Sequence, residues 1–237
     1  MLGFSFNSHY CGEYGIIMRS KKRPILSATD DNYVQVPCRD GSVLFPGALK
    51  DKTITLECAI VAASLEAKRT LSRQIAAWLH TDDRAILSFD DEPNLYYRAK
   101  LTGEIDPEEL YRMSTFDLTF NAGPLAYGPE QSGAMGTITN PGTYKSWPVY
   151  AAMFAAAASE WQVTNQDGYY VRVEHDFVAG DALEVNASTS AILINGARAM
   201  NKLDWQNSQF FSLRPGENTL TATPAGITAV SWIPCYL

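Results

Sequence analysis

The sequence predicts a mainly β chain built as two domains, and three observations carry that expectation. Short segments in which apolar residues alternate with polar ones recur along the whole chain, punctuated by Asp-Gly, Asn-Gly and Pro-Gly turns. Only one segment, residues 65–80, has a helical period. Finally, residues 123–148 (GPLAYGPEQSGAMGTITNPGTYKSWP) contain Gly or Pro every few positions. Glycine opens positive φ and proline removes a donor, so the stretch reads as a joint between a mixed segment and one of strand and turn alone. The expected division is a first domain at 1–125, a linker at 126–147 and a second domain at 148–237. The 237 residues leave each half long enough to bury its own core.

In the first half, Phe4 and Phe6 alternate with small or polar neighbours, Asn7 and Ser8 offer a turn, and 14–18 (YGIIM) returns as a β-branched strand, which suggests a strand pair. The basic run RSKKR at 19–23 reads as a solvated turn between strands. Residues 33–36 and 43–45 are strand-like about the turn Arg39-Asp40-Gly41, where Gly41 would supply positive φ. From 53 to 61, Ile54, Leu56, Cys58 and Ile60 alternate with polar or small residues, placing one apolar face on a core. Ser64 then stands as N-cap of a helix whose Leu71, Ile75, Trp78 and Leu79 recur at spacings of three and four, with Lys68, Arg69, Arg73 and Gln74 on the wet side. Strands at 85–89 and 95–105 are joined by the turn Asp90-Asp91-Glu92-Pro93-Asn94, and a strand at 113–120 closes the half.

The second half shows short strands at close intervals: 162–164, 169–173, 182–185, 191–194, 210–213, 219–223 and 227–232. Asp167-Gly168 and Asn195-Gly196 favour antiparallel hairpins, so a β sandwich is expected. The tract 151–158 (AAMFAAAA) has helix-forming composition but stands where the sandwich needs its first strand, and is read as a strand.

Composition narrows the function classes. A hydrophobic fraction of 46% with 19% charged residues describes a folded globular chain. A net charge of −7 argues against nucleic acid as a partner, since phosphate recognition needs a basic surface. No apolar run reaches membrane-spanning length, so no membrane insertion is expected, and the N-terminus does not read as a secretory signal, which suggests synthesis in a cytoplasm. Cys11, Cys38, Cys58 and Cys235 lack metal or redox spacing and are expected as reduced thiols. The three histidines are scattered, and the acidic groups 30–31, 82–83 and 90–92 fall in turns without calcium-loop spacing. With no nucleophile elbow, phosphate loop or dinucleotide fingerprint, neither catalysis nor a cofactor nor a metal is expected. The aromatics of the second half, with Trp161, Trp205 and Tyr169 as candidates for stacking on sugars, leave a carbohydrate-binding module as the alternative reading beside burial in a sandwich core.

Five blocks taken in order carry a resemblance: GFSFNSHYCGEYGII, VPCRDGSVLF, RQIAAWLHTDDRAILSFDDEPNLYYRAKL, FDLTFNAGPLAYG and FFSLRPGENTLTATPAGITAVSWIPCYL. In residue type and spacing they resemble the distal tail protein (Dit) family of long-tailed, siphovirus-type bacteriophages. The resemblance implies a structural protein of the virion, found at the tail tip. Its N-terminal domain would be a β sandwich with one flanking helix and a long hairpin, its C-terminal domain a galectin-like β sandwich. It further implies a homohexameric ring joining the tail tube protein to the tail-tip hub protein and aiding host attachment, with receptor-binding proteins as further candidate partners. Ring closure needs surfaces at the flank of the subunit. The helix and the 90–94 turn supply such surfaces, so Arg69, Arg73, Asp90, Asp91, Glu92 and Asn94 are the expected interface residues, and the first domain is expected to assemble.

Overall fold

Phe4 and Phe6 are fully buried, which sets the face of the first strand, β1 (Phe4–Phe6). It turns through Asn7 and Ser8, both at positive φ (48° and 67°), into β2 (His9–Tyr10), the mirror-image turn that suits a twisted hairpin. The structure, a computed structural model, describes residues 3–61, 64–105, 108–109 and 113–237. These divide into two units, Met1–Tyr127 and Gly128–Tyr236.

In the first unit follow β3 (Ile16–Lys22), β4 (Asn32–Gln35), β5 (Ser42–Phe45), β6 (Lys52–Val61), α1 (Leu65–Leu79), β7 (Ala85–Phe89), β8 (Tyr96–Leu101), β9 (Glu108–Glu109), β10 (Met113–Ala122) and β11 (Ala126–Tyr127). One antiparallel sheet runs in the order β2-β1-β7-β8-β10-β6-β3. Its longest ladder pairs β6 with β10 from Lys52–Ala122 to Val61–Met113. The alternation expected at β6 is realised: Ile54, Leu56, Cys58 and Ile60 are buried, and Leu118 and Phe120 of β10 meet the same core. Ser64 caps α1, its hydroxyl accepting from the Ala67 amide at 3.2 Å. The helix is fastened by Trp78, which stacks on Tyr14 at 4.5 Å and on Phe4 at 5.9 Å, and whose indole N–H donates to the Phe6 carbonyl at 2.8 Å.

Three expectations for this unit need correction. Tyr14 ends a 3₁₀ turn at 11–14, so the strand expected at 14–18 begins only at Ile16 as β3, which pairs with β6, not with β1. The run RSKKR is not a loop: Arg19 to Lys22 lie in β3, where a register shift between Met18 and Ser20 breaks the alternation and sets Lys21, only 15% exposed at its side chain, opposite the buried Leu56. Lys68, expected on the wet face, is 5% exposed. It stands two helical turns before Ile75, hence on the same stripe, and a lysine stem is apolar enough to lie there.

The second unit comprises β12 (Gln131–Ala134), β13 (Gly136–Asn140), β14 (Val149–Met153), β15 (Ala158–Asn165), β16 (Tyr170–Phe177), β17 (Ala182–Asn186), β18 (Ala191–Ile194), β19 (Ala197–Arg198), β20 (Gly216–Thr223) and β21 (Thr228–Trp232). Two sheets, β12-β21-β14-β17-β18-β19 and β13-β20-β15-β16, enclose a core that includes Tyr150, Phe154, Trp161, Val163, Val171, Val173, Leu183, Val185, Ile192, Leu220 and Trp232. This is a β sandwich, and the chain as a whole is mainly β.

The stretch read as a joint is largely part of this sandwich: β12 pairs with β21 and β13 with β20, and Ile138, Asn140 and Ser146 are buried. Its glycines serve close approach as much as turning. A Cβ on Gly142 would stand 2.5 Å from the Cys235 carbonyl oxygen. Of the alanine tract, only 151–153 belong to β14, while Phe154 is buried and β15 begins at Ala158. Residues 210–213 bury Phe211 and Leu213 but join a ladder only where Leu213 exchanges two bonds with Ser146, so the alternation there records burial without a strand. Among the described residues no helix is long and apolar enough to cross a membrane.

Candidate functional site

The acidic turn between β7 and β8 is committed to its own unit. Asp91 accepts from Lys21 at 2.8 Å on both oxygens, and Glu92 takes the Arg23 guanidinium in a fork, at 2.5 and 2.8 Å. Arg23 also donates to the Tyr97 hydroxyl, which donates to Glu92 at 3.2 Å, while Tyr10 donates to Asp90 at 3.0 Å. Lys21 lies over the Phe89 ring at 4.2 Å and Lys52, 4% exposed, over the Tyr97 ring at 5.1 Å. The hydrogen bonds from Lys21 and Arg23 hold Asp91 and Glu92 below their ordinary values. Burial pushes Tyr97 up to about 12 and, with Arg23 beside it, lowers Lys52. The basic run of β3 and the acidic turn, separate features in the sequence, are thus one charge-paired cluster. Of the expected interface residues, Asp90, Asp91 and Glu92 are drawn into this cluster, whereas Asn94, Arg69 and Arg73 are exposed and join none of these contacts.

Arg23 precedes, and Lys52 follows, the segment 28–50, in which no residue is buried. Here β4 and β5 form a two-stranded hairpin with register Asn32–Phe45 to Gln35–Ser42, pairing with no other strand among the described residues. Its stem continues the ladder, with Lys50 N–H to Ala28 O at 2.7 Å, Asp30 N–H to Ala48 O at 3.0 Å and a Lys50–Asp30 ion pair at 2.6 Å. Gly47 is required there, because a Cβ would stand 2.0 Å from the Asp30 carbonyl oxygen. Tyr33, Val34, Val36, Leu44 and Phe45 are all exposed, along with Ile25 and Leu26 just before the stem. An isolated hairpin is marginal in water, and apolar residues on its strands with nothing over them mark a contact surface. Both strands and their turn were legible in the sequence. What was missed is that, among the described residues, nothing covers them, although Leu44 and Phe45, adjacent and therefore on opposite faces, signal a strand apolar on both sides.

The sugar-stacking candidates separate. Trp161 is fully buried and donates to Thr228 Oγ1 at 2.9 Å, so it is a core residue whose N–H has found a partner. Trp205 and Tyr169 are exposed, at 66% and 50%.

Comparison with known proteins bears on both units. Residues 10–122 match the family described as phage tail protein RIFT-related domain, and residues 141–236 match the siphovirus-type tail component, C-terminal domain. Among solved structures the chain is similar to the Dit protein of phage SPP1, at TM-score 0.87 and 18% identity over 100% of both chains. It is similar also to a chain of the phage p2 baseplate in its activated conformation with strontium, at TM-score 0.51 and 9% identity over 98% of each chain. The calcium form of that baseplate gives TM-score 0.52 and 8% identity over 99% of this chain and 98% of the other. At these identities the likeness is one of fold. Comparison with curated proteins finds no match.

Proposed function

The chain belongs to the distal tail protein family of siphovirus-type phages and is a structural component of the phage tail, and from that premise we propose that six copies close into a ring through the 28–50 hairpin. The ring would join the tail tube to the tail-tip hub protein and help the virion attach to its host, with receptor-binding proteins as a further partner; no catalytic step is assigned to it. The observation that carries this reading is the hairpin itself: an arm with apolar side chains and unpaired edges, rooted in a charge-paired cluster. A second copy supplies what the arm lacks, and a head-to-tail contact repeated by rotation closes a ring. The baseplate chains of similar fold, and the SPP1 protein described as a paradigm of hub adsorption apparatus, support the choice of partner class.

Native mass spectrometry of the full chain tests the proposal. The parent should run as a sixfold species, and replacing the cross-strand pair Tyr33 and Leu44 by Ser should leave folded monomer. A parent that stays monomeric, or a doubly substituted chain that still assembles, would count against the arm.

A further inference from the structure

We propose that the second unit carries a saccharide-binding site at the outer edge of β16, with Trp205 as its stacking platform. The tail-ring reading does not require it, and its test does not depend on assembly.

Trp205 sits on a turn that is held firmly. The Asp204 amide donates to the Arg172 carbonyl at 3.1 Å, the Gln209 amide to the Tyr170 carbonyl at 2.8 Å, and the Ser208 amide closes the turn onto the Asp204 carbonyl at 3.0 Å. The Arg172 amide in turn donates to Ser208 Oγ at 3.0 Å. The Asp204 side chain, 10% exposed, accepts from Asn207 Nδ2 at 3.1 Å on both oxygens. A large aromatic displayed in water on so constrained a turn adds little to its own fold and loses little entropy when a ligand covers it.

What adjoins the turn is polar. Strand register sets Arg172, Gln162 and Thr223 in one row across β16, β15 and β20, and Tyr170, Thr164 and Thr221 in the next. Their neighbours Val171, Val173, Trp161, Val163 and Leu220 are buried, so by alternation both rows face outward. Arg172 donates from Nε to Gln162 Oε1 at 2.9 Å and lies over the Tyr170 ring at 5.1 Å. It is also ion-paired at 3.7 Å with Asp204 and at 3.7 Å with Glu160. An exposed aromatic on a turn bonded to β16, whose outward row presents hydroxyl, amide and guanidinium groups, matches a hexopyranose, which offers an apolar C–H face and a rim of hydroxyls. A protein anchor pocket would instead surround its aromatic with apolar side chains that exclude water.

The experiment titrates the full-length chain with β-linked gluco-, galacto- and N-acetylhexosamine oligosaccharides, read by isothermal titration calorimetry and saturation-transfer NMR. At least one member of the panel should bind. Trp205→Ala should weaken it by roughly tenfold or more, with Trp205→Phe retaining part of the affinity and the melting temperature unchanged in both. The proposal is overturned if no oligosaccharide binds the parent, or if Trp205→Ala binds as tightly as the parent. It is equally overturned if the substitution spares saccharide binding and alters the oligomer distribution, since Trp205 would then be a protein contact.

Discussion

Glu92 shows how a residue taken for a surface contact can serve the fold instead. It is about three-quarters buried beside an equally buried Arg23, and the two share a fork of hydrogen bonds with Tyr97 at one corner. Removing the charge by Glu92→Gln takes from Arg23 its forked carboxylate partner and should cost about 2 kcal/mol, measured by urea denaturation. The pH dependence follows from the same pairing. Asp91 and Glu92 are held below their ordinary values of 3.8 and 4.5, first by the hydrogen bonds from Lys21 and Arg23. A carboxylate depressed in the folded state stabilises it above the unfolded pKa and loses that contribution as pH falls through the folded one. Melting temperature should therefore drop as pH falls below about 4.5, and drop less steeply in Glu92→Gln. A parallel decline in both proteins would mean that other carboxylates govern acid unfolding.

At the level of elements, the arm and the glycine-rich stretch exchange the roles their composition suggests. Residues 128–140 look flexible, yet they supply β12 and β13, whose backbone groups are tied into the ladders of β21 and β20. The arm looks like ordinary hairpin, yet it is the exposed element. Limited proteolysis should reflect this order, because cleavage favours backbone with few tertiary contacts. Trypsin should nick the unassembled chain first after Arg39, in the exposed turn that follows β4, and ring assembly should protect that site. A first cut after Lys145 would instead restore the joint as the weak point. Helix α1 behaves as its local signals direct: the Ser64 cap, the stripe of Ile75, Trp78 and Leu79, and the exposed Arg69 and Arg73 follow from a period of 3.6.

For the whole molecule, two units with separate cores predict that each folds alone, and the proposed ring would assemble through the one bearing the arm. A truncated chain of residues 1–127 should run as a sixfold species by native mass spectrometry, and residues 128–236 should be a folded monomer. The reverse distribution would remove the arm from ring closure. The sequence by itself determined what depends on neighbours a few residues away. Alternation in β6, the Ser64 cap, the turns at Asn7-Ser8 and Asp40-Gly41, and the resemblance carried by five ordered blocks are all of this kind, because φ preferences and side-chain period are local properties. Tertiary structure alone decided which faces are covered. Lys21 and Asp91 meet from 70 residues apart, β3 lies against β6 rather than β1, and Trp161 is enclosed while Trp205 is not. In the sequence the two tryptophans look alike, as do the strands of the arm and those of the core. They differ in whether another element is packed over them, and burial is set by contacts between segments distant in the chain.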